Sequence, residues 1–259
     1  MFCCAIFFLF AVGPSAAQGK LEVNYEAALA GLTLGKGSWI IKIGSDRYEA
    51  SASASLSGIL GFFTRFEAFG QASGRITKGL DPNSYGITTR VSDREETVRL
   101  SLINGDVKQF SVDPEPRPDS NRIPLTTDQL RNVVDPMTAM LVFVPKAVDL
   151  ISPAACNSTS EVFGGRMRYR LKFTFSRLEP MSIEGYRRPA LVCSLSFSPI
   201  SGYNPEKPVV KYLSGVRDAE VWFASVPGTR VLAPLRLVLP TPFGRGVVQA
   251  IDFVTSPIF

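Results

Sequence analysis

Cations recur at every second position in Arg166, Arg168, Arg170 and Lys172, and Met167, Tyr169, Leu171, Phe173 and Phe175 take the alternate places. Guanidinium groups grip phosphate through two parallel hydrogen bonds, so such a row could hold an anionic ligand such as a phospholipid head group or a lipid A phosphate. The same row also describes a solvated strand face that discourages unwanted edge pairing. Glu95, Glu96, Asp113 and Glu115 are the carboxylates from which a two-carboxylate hydrolase could be built. They fall in expected loops and strand ends, with nothing to set them opposite one another. The chain has no histidine at all. That removes the Ser-His and Cys-His nucleophile pairs and the commonest zinc ligand. Ser57-Gly58 and Ser201-Gly202 lack the flanking pattern of a nucleophile elbow. The reading is non-enzymatic, with no metal, cofactor or nucleotide expected.

A period of two is the signature of an extended strand with one face buried. The stretch from Arg166 to Phe175 therefore reads as strand, basic outside and apolar inside. The same pattern recurs along the 259 residues. Trp39 to Ile43 and Tyr48 to Leu56 form an expected hairpin about Gly44-Ser45-Asp46, with Ala50, Ala52 and Ala54 on one face of a tightly curved sheet. Phe66 to Ile76 and Tyr85 to Val91 are joined around Asp81-Pro82-Asn83. Val98 to Leu102 and Val107 to Val112 flank Asn104-Gly105, the strongest short hairpin signal in the chain. Asp113 to Pro124 is a proline-rich, charged loop that divides the chain into two halves.

The period then changes. Val133, Met137, Met140 and Leu141 are spaced as on a helix, and Asp135-Pro136 supplies a cap followed by proline. Thr127 to Asn132 and Pro136 to Phe143 are read as short helical pieces. Pro189 to Phe197, Asp218 to Ala224, Arg230 to Leu239 and Val247 to Val254 complete the strands. Ile59, Leu60, Phe62 and Phe63 cluster around Gly58 and Gly61 as an apolar turn or as a lip at the mouth of a cavity. The expected fold is mostly β: one large curved antiparallel sheet, or a closed or spiral barrel, with a short helix plugging its concave face.

Phe2 to Val12 is apolar and ends in small residues suited to cleavage after Ala17, so residues 1–17 read as an export signal and 18–259 as one β domain. Cys156 and Cys193 then remain, and an even pair in an exported chain is expected to form a disulfide. With 28 basic and 23 acidic residues the net charge is +5, far from the profile of a nucleic-acid binder. A terminal Phe259 fits an outer-membrane barrel, but Pro257 interrupts the last strand and the apolar runs are short for one.

Several short motifs keep a recognisable order: Asp135-Pro136, then Val162 to Tyr169, Cys193, Gly202-Tyr203, Val221-Trp222-Phe223 and Pro234-Leu235-Arg236 before Gly244. This order resembles an alphaproteobacterial family of exported proteins known as a domain of unknown function. The family's expected Asp-Gly pair is Gly164-Gly165 here, and an expected Asp after the tyrosine is Arg170. The resemblance implies a periplasmic protein similar in kind to envelope-integrity proteins and lipoprotein carriers. It brings no catalytic residue. The partner it implies is a lipid, lipopolysaccharide or another envelope protein, in a binding or structural role.

Overall fold

Burial alternates along nearly every extended segment, and that alternation builds the molecule. The computed structural model describes residues 19–57, 61 and 64–257. Residues 1–17, expected to be an export signal, and the apolar cluster Ile59, Leu60, Phe62 and Phe63 lie outside the described residues.

Seven strands run first as a continuous antiparallel meander: β1 (Gly19–Leu29), β2 (Leu32–Ile43), β3 (Arg47–Leu56), β4 (Phe66–Ile76), β5 (Leu80–Val91), β6 (Arg94–Ile103) and β7 (Asp106–Asp113). After a long connection come β8 (Val142–Phe143), β9 (Ser158–Phe163), β10 (Arg168–Ile183), β11 (Tyr186–Ser201), β12 (Glu220–Ser225), β13 (Val231–Thr241), β14 (Gly244–Ala250) and β15 (Val254–Ser256). The strand order is β7-β6-β5-β4-β3-β2-β1-β14-β13-β12-β11-β10-β9, with β15 on β1 and β8 on β13. Two meanders thus meet at β1, and the sheet rolls without closing, since its end strands β7 and β9 do not pair. Two short helices, α1 (Pro153–Cys156) and α2 (Pro208–Gly215), interrupt the second half.

The turns follow the chemistry of their residues. Asn104 and Gly105 both take positive φ between β6 and β7, as the Asn-Gly signal requires. Asp81-Pro82-Asn83, expected as a turn, instead lies inside β5 opposite a register shift at Ser73/Gly74. Pro82 is tolerated there because a bulge excuses one ladder hydrogen bond.

The inner face of the first meander carries Leu21, Val23, Trp39, Ile41, Ile43, Ala50, Ala72, Tyr85, Val98 and Leu100, all buried in one core with Val192, Trp222, Ala233 and Leu235 of the second. The expected helix over Pro136 to Phe143 is much shorter. Only Thr138–Met140 turns, as a 3₁₀ segment, and Val142–Phe143 extends to pair with β13. Leu141 is already extended; its neighbours gain more from a strand ladder than from a second helical turn, which would be too short to persist by itself. The earlier piece survives as a 3₁₀ turn at Thr127–Leu130.

A second core lies on the opposite face of β10 to β13. Phe173, Leu191, Cys193, Val221, Phe223 and Leu232 are covered there by a strap running through Val142, Val144, Ala155 and Cys156. The Cys156–Cys193 disulfide joins strap to sheet, with Cα atoms 5.7 Å apart. Arg230 holds the strap's other end, donating from Nε to the Val144 carbonyl at 2.9 Å and from Nη2 to those of Pro145 and Val148.

Candidate functional site

The basic row is split by the chain itself. Strand β9 ends at Phe163, a turn at 164–167 follows, and β10 begins at Arg168, so Arg166 sits in the turn rather than on the strand. Gly165 takes φ +86° in that turn, and a Cβ on it would collide with the Val98 side chain of β6. The Gly164-Gly165 pair is thereby explained, because the turn must lie flat against the far end of the sheet.

Two of the four cations, Arg166 and Arg168, are drawn into the gap between β7 and β9. Arg166 pairs with Glu96 of β6. Arg168, with only 14% of its side chain exposed, donates to Glu161 at 3.2 Å and to the carbonyls of Gln129 at 2.9 Å and Arg131 at 3.2 Å. Arg170 donates to the other oxygen of Glu161. Lys172 stays exposed, without a carboxylate partner among the described residues. Three of the four cations thus have a carboxylate partner, and Arg170 and Lys172 remain exposed.

The peptide at Val133 and Val134 fills that seam. Val133 donates its N–H to the Gly105 carbonyl at 2.8 Å, and Val134 exchanges hydrogen bonds with Glu161 and Phe163 of β9. Phe110 of β7 meets Phe163 of β9 edge to face at 5.3 Å. Next along the chain, Asp135 is fully buried. Its Oδ1 accepts the N–H groups of Met137 and Thr138, both at 2.9 Å, and its Oδ2 accepts the Thr138 hydroxyl at 2.5 Å. Tyr48 donates in turn to Thr138 Oγ1 at 2.7 Å. Burial pushes the Asp135 carboxyl above its ordinary value, against the pull of those hydrogen bonds. Burial, and then the nearby Asp135, push the Tyr48 and Tyr85 phenols well up.

Two of the carboxylates considered for hydrolysis are taken up by different arginines. Glu95 pairs with Arg90, and Glu96 pairs with Arg166. A different pair, Glu179 and Glu220, converges on Arg177, which also lies 5.4 Å from the Trp222 ring. Hydrogen bonds from Arg177 hold Glu220 below the usual carboxylate range. A general acid needs the opposite shift. No group of three or more metal-ligating side chains occurs among the described residues.

The concave feature that the sequence did not announce lies on the outer face of the first meander. Register brings Ile40, Ser51, Gln71, Gly86, Arg99 and Ser111 into one row across β2 to β7. The adjacent row runs Ser38, Ser53, Phe69, Thr88 and Thr97. Small floor residues and longer flanking ones leave a trough of about 660 Å³ over β2 to β6. A smaller depression shares Ile40, Ser51, Gln71 and Ser84 with it, and another of about 630 Å³ continues past Arg99 to Gln109 and Phe110. Hydroxyls pair across strands within it, Ser38 with Ser53 at 2.8 Å, Ser73 with Ser84 at 2.8 Å and Thr88 with Thr97 at 3.1 Å. Phe69 is 52% exposed and stands in the trough. Arg99 is exposed and has no carboxylate partner among the described residues. The arrangement offers short hydroxyls, an amide, one guanidinium and one aromatic face on a rigid floor.

No family model matches the chain, and no curated protein does. Among solved structures it is similar to a crystal structure of a beta-barrel-like protein of domain of unknown function DUF1849 from Brucella abortus. The TM-score is 0.50 at 8% identity, over 93% of this chain and 98% of that one. The likeness is one of fold, a rolled, barrel-like β architecture running the length of both chains.

Proposed function

We propose that this chain is a non-enzymatic binding or support protein of the bacterial cell envelope, acting in the periplasm after export. The observation that carries the reading is the contrast between the two faces of β2 to β6. The inner face is packed by the chain's own side chains, and the outer face holds a broad trough whose lining mixes hydroxyls with apolar groups. A protein so built meets a partner on its surface rather than swallowing one. Support for the compartment comes from the apolar leader ending at Ala17 and from a disulfide, which persists in oxidising surroundings. Lipid, lipopolysaccharide or another envelope protein are the partners in view. Exposed Arg170 and Lys172 would contribute to an anionic contact, though Glu161 already occupies part of the arginine.

Fractionation and a deletion strain test this together. The expected outcome is a mature chain lacking residues 1–17 in the periplasm, Cys156 and Cys193 oxidised, and a deletion strain hypersensitive to detergent. A leader-bearing chain in the cytosol with both thiols free, or a deletion strain with unchanged detergent resistance, overturns the reading.

A further inference from the structure

We infer that the outer trough of β2 to β7 binds an extended acidic glycan, a chain of sugar units bearing carboxylates. The inference rests on the surface-binding role proposed above and names its ligand class.

The floor decides the chemistry. Backbone N–H and C=O groups lie in the plane of a sheet and are used by its ladders, so a ligand on the face meets side chains alone. Here those side chains are chiefly Ser and Thr hydroxyls and Gln71, groups that both donate and accept. A polyhydroxylated ligand matches those hydroxyls, while the apolar part of the lining, Ile40 and Phe69 among it, suits the C–H faces of its rings. Phe69 supplies a flat face against which the C–H groups of a sugar ring can stack. Arg99 stands in the row of Gln71 and Gly86, free to take a carboxylate in two parallel hydrogen bonds. Charge agrees: Lys42, Arg99 and Lys108 line the three depressions against Glu49 alone. Six strands at about 4.8 Å spacing make a track about 24 Å long, enough for several sugar units.

Gly86 gives a clean way to close the track. A Cβ there would touch only the Val98 carbonyl, at an ordinary 3.7 Å, so a larger side chain projects into the trough without disturbing the sheet. Calorimetric titration of the purified mature chain with polygalacturonate, dextran and polyglutamate at low and moderate salt forms the test, with thermal unfolding as the control for folding. Polygalacturonate is expected to bind at least tenfold more tightly than either other polymer. Phe69→Ala and Gly86→Leu are expected to weaken binding tenfold or more at both salt concentrations. Arg99→Gln is expected to weaken it about tenfold at low salt and to flatten the salt dependence. Absence of polygalacturonate binding overturns the inference. So does polyglutamate binding equally well, which would mark a plain polyanion patch, or dextran binding equally well, which would leave Arg99 without its role. Wild-type affinity in all three variants overturns the placement in the trough. The two proposals fail separately. If polygalacturonate does not bind but Gly86→Leu abolishes rescue of the deletion strain, the glycan is wrong and the envelope role stands. If the polymer binds and the deletion strain is unaffected, the reverse holds.

Discussion

Asp135 shows how one side chain can look like a helix cap in the sequence and serve a different end. Its carboxylate does cap the turn at Thr138, but it is fully buried and tied through Thr138 to Tyr48 of β3. The expected Asp-Pro cap was legible; its complete burial against β3 was not, because only tertiary contacts bury it. Its raised pKa fixes the sign of a pH effect. The folded state holds this proton more tightly than the unfolded chain does. The associated stability is fully present below the unfolded value, about 4, and is lost as pH rises through the folded one. Asp135→Asn keeps an acceptor for the two N–H groups and offers Thr138 an amide donor, without the buried charge. Denaturant unfolding between pH 4 and 8 should therefore show the Asn variant gaining on the wild type as pH rises. Asp135→Ala leaves those donors unanswered and should cost about 2 kcal/mol at pH 4, a cost that shrinks as pH rises and the wild type loses stability. A constant difference between the Asn variant and wild type across that range would refute the assignment.

Among the elements, the hairpins were the most readable, since Asn104-Gly105 dictates a turn from two residues alone. Helix α2 was missed because Pro205 and Pro208 put loop signals at its start and its eight residues hold little more than two turns. The trough was invisible for a different reason. Ser51, Gln71, Gly86 and Arg99 are ordinary outward residues on four strands, and only the register sets them side by side. The strap is the element with the sharpest mechanical consequences. Its disulfide closes a separation of 37 residues. Replacing both cysteines with alanine should cost about 4 kcal/mol in chemical denaturation, from chain entropy alone. Arg230→Lys should cost about 2 kcal/mol, because an ammonium cannot span three carbonyls as the guanidinium fork does. Gly165→Ala acts at the seam. It forces a positive φ on alanine and drives a methyl into Val98, and should cost about 2 to 3 kcal/mol. If that variant melted with the wild type, the tight approach of the turn to β6 would be wrong. The Arg166–Glu96 pair bridging the same seam is more than a third exposed on both sides and should contribute well under 1 kcal/mol when removed.

For the whole molecule, mostly-β character, antiparallel pairing and the Cys156–Cys193 link were all legible, because alternation and cysteine arithmetic need no knowledge of the third dimension. The order of strands was not. Nothing local says that β14 returns to the first strand rather than to β7, and the division near residues 113–125 hides that the two meanders share one core. That junction has a temporal meaning. Strand β1 is made well before its neighbours β14 and β15. A chain arrested before Gly244 would present β1 as a bare, hydrogen-bond-hungry margin, open to other partners. Vectorial synthesis therefore postpones commitment to the native roll until β14 and β15 arrive, and any helper that escorts the nascent chain would have its strongest reason to shield residues 19–29.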